Sequence, residues 1–272
     1  MPRKDRFRPV FSTLGALLIC AFGVLHPLEL SASDYCHFEL RSLTSQQVMA
    51  VPVPEGFAIR QQDHIFLPQA KDVYLDLRPE SPTTRLIETS LPYLKRASSV
   101  LVVGTGASPE LVMIARRFAH LRQIHGVDID SKAIEVSQQS INLNTKGDDR
   151  LRVWMSDGLS QVEGQYDLIL FAAPRPVFLE TLRKQHGDLS ASRMWSMMSR
   201  RKDLFDLEGK LRDRILKDMP KVLTPQGRLL LMSDASEEPS VAEEFDYLKH
   251  GLWLWGSARD GFFTIYDFFR DE

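Results

Sequence analysis

Two glycines close an apolar run in Val102-Val-Gly-Thr-Gly-Ala-Ser-Pro109, a spacing that points to chemistry. Lacking Cβ atoms, Gly104 and Gly106 allow a tight turn and let the backbone approach a ligand at the head of a sheet. A dinucleotide fingerprint would place a third Gly or Ala three positions after Gly106, where Pro109 stands instead. Proline suits a helix start, but here it argues against NAD or FAD. No Lys-Ser/Thr follows to complete a phosphate loop. A plain strand-to-helix turn is the other reading of so short a motif. About 20 residues on, Gly126-Val-Asp-Ile-Asp130 carries an acid suited to a ribose diol. We assign that role to Asp128 and give Asp130, with Ser131, the N-cap of the next helix. A third segment, Ser156-Asp-Gly158, places Asp157 where a carboxylate would accept from an adenine amino group. Each acid alone is unremarkable. In order, at successive strand ends, they describe a site for a nucleoside.

The elements that must position these residues are legible from residue 99 onward. Apolar runs at 100–103, 124–127, 151–155, 166–172 and 228–232 have strand length. Between the first three, residues 109–120 and 131–143 repeat apolar positions at helical spacing: Leu111, Ile114, Ala115 and Phe118, then Ile134, Val136 and Ile141. Continuously apolar strands are buried on both faces, so the pattern predicts an α/β fold, a parallel sheet with helices on both sides. Two aromatic-rich stretches end the chain, 252–255 and 262–269. The connector between them, 256–261, is too short for a crossover helix, so they should pair antiparallel. The expectation is a Rossmann-like three-layer sandwich on a mainly parallel, seven-stranded sheet with a C-terminal antiparallel pair. A plain dinucleotide-binding domain would continue its strand–helix alternation to the end.

Val100-Leu-Val-Val-Gly-Thr-Gly106, Gly126-Val-Asp-Ile-Asp130 and Ser156-Asp-Gly158 together resemble the successive cofactor motifs of class I S-adenosylmethionine (SAM)-dependent methyltransferases. The resemblance implies SAM as cofactor, contacted by Gly104, Thr105, Gly106, Asp128, Ile129, Asp157, Gly158 and, at the fourth strand end, Ala172. Within that superfamily the motif order resembles the protein glutamine-N5 methyltransferases that modify release factors. Leu77-Arg-Pro-Glu-Ser-Pro-Thr-Thr84 is similar to that family's Pro-Arg-Pro-Glu-Thr segment, which makes Glu80 a substrate-side candidate. Met219-Pro-Lys-Val-Leu-Thr-Pro-Gln-Gly-Arg-Leu-Leu-Leu231 is similar to its last helix and fifth strand. The chain departs from the family at the fourth strand. Asn-Pro-Pro-Tyr is expected there, and Phe171-Ala-Ala-Pro-Arg-Pro176 is found. Ala172 occupies the Asn position and lacks the group that would orient a substrate amide. Pro174 retains one proline, and Arg175 brings a cation that is either a grip for an anionic acceptor or a solvated loop arginine.

The expected activity is methyl transfer to a small-molecule or protein acceptor, and an anionic acceptor would suit Arg175. Such chemistry rests on in-line positioning and desolvation, with a general base only for a protonated nucleophile. Two alternatives stay open. An aminopropyltransferase of the spermidine-synthase type uses the same sheet, although Phe171-Ala-Ala-Pro174 offers no Asp for it. A non-catalytic SAM- or nucleoside-binding module would explain the missing Asn.

Composition sets outer limits. The 272 residues are 43% hydrophobic and 26% charged with net charge −2, ordinary for one globular domain plus a short extra piece. That balance gives no global footprint for nucleic acid, and no nucleic-acid partner is expected. Cys20 and Cys36 alone exclude a disulfide framework and a cysteine-based zinc site, and the seven His show no ligand spacing. No metal is expected. Arg3, Lys4, Arg6 and Arg8 precede an apolar run from Phe11 to Leu25, followed by Ser31, Ala32 and Ser33. That form predicts a signal peptide or membrane anchor over 1–33, touching the membrane through 9–26 if it is not cleaved. The domain would then be exported or anchored at the cell envelope; a buried N-terminal helix in a cytoplasmic protein is the alternative. Residues 34–98 read as an N-terminal extension and 99–272 as the SAM-binding domain. Within the latter, 177–206 reads as a substrate-side insert that interleaves Arg183, Lys184, Arg193 and Arg200 with Met194 and Trp195, either a surface for an anionic substrate or nucleic-acid strand or an amphipathic lid helix with a solvated basic face.

Overall fold

The structure, a computed structural model, describes residues 48–53, 57, 64–68, 70, 73, 82–172, 210–234, 252–260 and 263–270. The chain divides into two units, Met1–Asp34 and Tyr35–Glu272, and every described element belongs to the second. The expected leader at 1–33, Glu80, Pro174, Arg175 and the insert 177–206 lie outside the described residues. No described helix is long and apolar enough to cross a membrane.

The elements run β1 (Val48–Pro52), β2 (His64–Pro68), α1 (Pro82–Leu94), β3 (Ser99–Val103), α2 (Pro109–Arg117), β4 (Gln123–Asp128), α3 (Ser131–Thr145), β5 (Leu151–Met155) and β6 (Tyr166–Ala172). After these come α4 (Lys210–Val222), β7 (Leu223–Asp234), β8 (Leu252–Asp260) and β9 (Phe263–Arg270). Seven strands form one sheet in the order β5-β4-β3-β6-β7-β9-β8. The pairs β4/β5, β3/β4, β3/β6 and β6/β7 are parallel, while β7/β9 and β8/β9 are antiparallel. This is the expected mainly parallel sheet with its C-terminal antiparallel pair.

Strand periodicity sorts the apolar residues onto two faces. Val100, Val102, Ile124, Leu168, Leu170 and Leu230 pack with Leu86 and Ile87 of α1 and Leu111 and Ile114 of α2. Their strand neighbours Leu101, Val103, Val127, Ile169, Phe171 and Leu229 pack with Ile215, Leu216 and Met219 of α4. Each fully buried side chain of this kind contributes about 1.5–3 kcal/mol, so both faces need their helices. Helix α1 and the buried Ile65 and Leu67 of β2 share the first of these cores, although they fall within the stretch read as an extension.

Three details depart from the sequence expectation. The predicted connector at 256–261 is mostly strand, because β8 runs to Asp260. Its register slips between Leu254 and Gly256, which leaves Trp255 as the extra residue of a bulge. Helix α2 ends at Arg117, and Arg150 reaches over to carbonyls in its last turn and just beyond it. Nη1 donates to Phe118 O (3.0 Å) and Leu121 O (3.2 Å), and Nη2 donates to Ala115 O (3.0 Å). The small antiparallel β1/β2 sheet docks on α3 through Asn144, whose side chain accepts from Phe66 N–H (2.8 Å) and donates to Phe66 C=O (2.7 Å).

The strand order reverses between β3 and β6, and ligands of open α/β sheets bind at that point, outside the carboxyl ends of the strands. Gly104, Asp128, Asp157 and Ala172 all stand at those ends.

Candidate functional site

The loop after β3 is tied down on its inner side. Gly104 N–H and Thr105 N–H both donate to Val127 O of β4, at 2.8 and 3.2 Å. Gly104 (φ 77°) and Gly106 (φ 51°) adopt left-handed conformations that disfavour side chains. A Cβ on Gly104 would meet nothing within 4 Å, so the turn, not crowding, requires glycine there, and the space above the backbone is open to a ligand. Beneath the loop, Ser137 of α3 gathers three bonds. Its hydroxyl donates to Gly106 O (2.8 Å) and accepts from Ser108 (2.6 Å), with Thr105 Oγ1 at 3.1 Å. All three side chains are buried, and this relay holds Ser108 in its own left-handed conformation (φ 57°). Thr105, expected among the cofactor contacts, is therefore turned inward; its hydroxyl shapes the loop and is not offered to a ligand.

Asp128 ends β4 and links it to that loop. Oδ2 accepts from Gly106 N–H and Oδ1 from Asp130 N–H, both at 3.0 Å. Burial pushes its carboxyl above the ordinary aspartate range, while the backbone amides oppose that push. A carboxylate offers about four lone pairs, so each oxygen keeps acceptor capacity for a pair of hydroxyls. Asp130 serves as the helix cap expected for it, accepting from Lys132 N–H at 3.1 Å. Gly126 lies under the loop. A Cβ there would overlap Thr105 Cγ2 and come within 2.7 Å of Leu111 Cδ1.

Beyond Asp128 the mouth of the site is apolar. Ile129 is exposed, and so is Met155, whose Cα is the strand partner of Asp128. Asp157 stands after β5 as expected, but its carboxylate is engaged by Arg214 of α4 in a two-pronged pair at 2.6 and 2.5 Å. Both partners are about half exposed, a setting in which such a pair contributes little stability. Gly158 takes φ 59°. Ala172, half-buried at the end of β6, packs against the core and presents no polar side-chain group. No group of three or more His, Cys, Asp or Glu among the described residues is arranged to hold a metal ion.

The sequence reading missed Ser137, Gly126 and Arg214. Ser137 shares a helical face with Ala133, Val136 and Ser140, all of them buried, and that run of small residues was the available signal for a helix pressed against a loop.

Comparison with known proteins points to the same kind of fold. The family model of the ribosomal protein L11 methyltransferases matches residues 80–173, which include every described cofactor candidate. A ribosomal protein L11 methyltransferase from Thermotoga petrophila is 37% identical over 90 residues, 33% of this chain and 32% of that protein. One from Exiguobacterium sp. is 29% identical over 162 residues, 58% of this chain and 50% of that protein. The crystal structure of a ribosomal protein L11 methylase from Lactobacillus delbrueckii subsp. bulgaricus superposes with a TM-score of 0.53 at 14% identity, covering 82% of this chain and 94% of that one. The chain belongs to the class I SAM-dependent methyltransferase superfamily. These matches span about a third to a half of the two sequence relatives' length. They are named for L11, whereas the sequence motifs had resembled the release-factor glutamine enzymes. SAM is the superfamily's cofactor, and the residues fit it: an anchored carboxylate for the ribose, open space over Gly104 and an apolar mouth at Ile129 and Met155.

Proposed function

We propose that this chain is a SAM-dependent methyltransferase acting on a polypeptide through a group other than a side-chain amide. The observation that carries the reading is the Asp128 carboxylate, which two backbone amides hold beside a glycine turn at the sheet's switch point. Asp128 would accept from the ribose hydroxyls, and Gly104 would let the chain approach the ligand. Ile129 and Met155 would cover the base. SAM supplies an already activated methyl group, which leaves the protein to position the acceptor and exclude water. Ala172 brings no polar group to the end of β6, so a planar amide would be held poorly there, and a misplacement of about 1 Å can lower a rate on the order of a hundredfold.

Transfer of labelled methyl from SAM should therefore reach ribosomal protein L11 and leave a release-factor glutamine peptide at least roughly a hundredfold behind. Robust labelling of the glutamine peptide would overturn the acceptor reading. Arg175 favours a second reading, an anionic small molecule gripped by its guanidinium. Labelling of carboxylates or phosphates in place of L11, abolished by Arg175→Ala, would select it.

For residues 1–33 we propose a membrane-directing leader, because the bases precede the apolar run and the next one is Arg41. A reporter fused after Asp34 should be active only outside the cytoplasm. Activity only of a cytoplasm-requiring reporter would refute the leader and keep the domain where SAM is made.

A further inference from the structure

Glu110 is unusual for a residue in the first turn of a helix that packs on a sheet. It is 9% exposed, its Oε2 has no hydrogen-bond partner among the described residues, and its carboxyl accepts from its own backbone amide and the Thr83 hydroxyl. Burial pushes its carboxyl up to about 7, and no charged side chain contributes to that shift. A carboxylate in a first turn ordinarily gains from the helix dipole; here desolvation outweighs that gain, so the residue serves the helix poorly.

Its place in the fold gives it another use. Thr83 is in the first turn of α1, which packs over β6 and β7, while α2 packs over β4. The Thr83–Glu110 pair thus bridges the two helices that flank the switch point, and Glu110 follows Gly106 by four residues. A ligand whose ribose sits on Asp128 and whose tail crosses the glycine turn toward β6 would run toward the first turn of α2, which holds Glu110. In SAM that tail is an amino acid with an α-ammonium, a donor of three charge-assisted hydrogen bonds.

We propose that Glu110, steadied by Thr83, receives the α-ammonium of the cofactor's methionyl tail. The assignment rests on the SAM reading above. It gives the unpartnered oxygen a ligand of opposite charge, which would draw the buried carboxyl back to its ionised form. A neutral donor would not supply that compensation.

The test is calorimetric titration of the full chain and of Glu110→Gln with three ligands: S-adenosylhomocysteine, its deaminated analogue, and 5′-methylthioadenosine, which lacks the amino-acid tail. Glu110→Gln should weaken S-adenosylhomocysteine about tenfold, leave methylthioadenosine unchanged, and bind the homocysteine compound and its deaminated analogue equally. Glu110→Leu should repeat the pattern. Equal weakening of all three ligands, or of none, overturns the assignment while leaving the SAM reading intact. A wild-type chain that binds none of the three contradicts the SAM reading itself, and the assignment falls with it.

Discussion

Asp128→Ala should bind SAM ten- to a hundredfold more weakly than the wild-type chain in a calorimetric titration. The lost bonds are charge-assisted ones to two hydroxyls, together about 1.5–3 kcal/mol. A second loss adds to this. The carboxylate also holds Gly106 N–H and Asp130 N–H, so its removal frees the loop that faces the ligand. Asp128→Asn separates the two contributions, because its amide oxygen can still accept while the charge is gone; it should fall between wild type and Ala. The raised carboxyl also sets a pH dependence. As pH falls through its value, above the ordinary aspartate range, protonation removes an acceptor and affinity should decline. Unchanged affinity in folded Asp128→Ala would remove Asp128 from the site.

Gly126→Ala should damage fold and site together. The added methyl would collide with Thr105 Cγ2 and crowd Leu111 Cδ1, and neither neighbour yields cheaply. Thr105 is β-branched and its hydroxyl is engaged with Ser137; Leu111 is fully buried in the first core. Overpacking of this kind costs about 1–3 kcal/mol, and here it pushes on the glycine turn itself. A urea melt should show the lower midpoint, and the surviving folded protein should bind SAM more weakly. Full stability with wild-type affinity would mean that the loop and β4 are less closely packed than described. By contrast, Gly104 has room for a Cβ; substitution there should act through its φ of 77° alone.

Local patterns carried much of this fold. Runs such as 151–155 and 166–172 have strand length and coincide with β5 and β6. Asp128 and Asp130 were separable because one closes a strand and the other precedes a helix; their hydrogen bonds keep them apart in the same way. What stayed hidden depends on direction and distance. Thr105 lies inside a ligand motif, but nothing in the motif says which way its hydroxyl turns. Arg214 reaches Asp157, and Arg150 reaches the carbonyls around the C-terminal end of α2, only because the sheet brings distant segments together. Gly256 reads as a turn residue, and only pairing with β9 shows it to be part of a bulged strand.

The most direct test of the account is titration of the full chain with SAM, S-adenosylhomocysteine and NAD in parallel. Binding of both adenosyl sulfur ligands, with NAD silent because Pro109 replaces the third small residue of a dinucleotide loop, is the predicted result. Binding of NAD, or of none of the three, would contradict it.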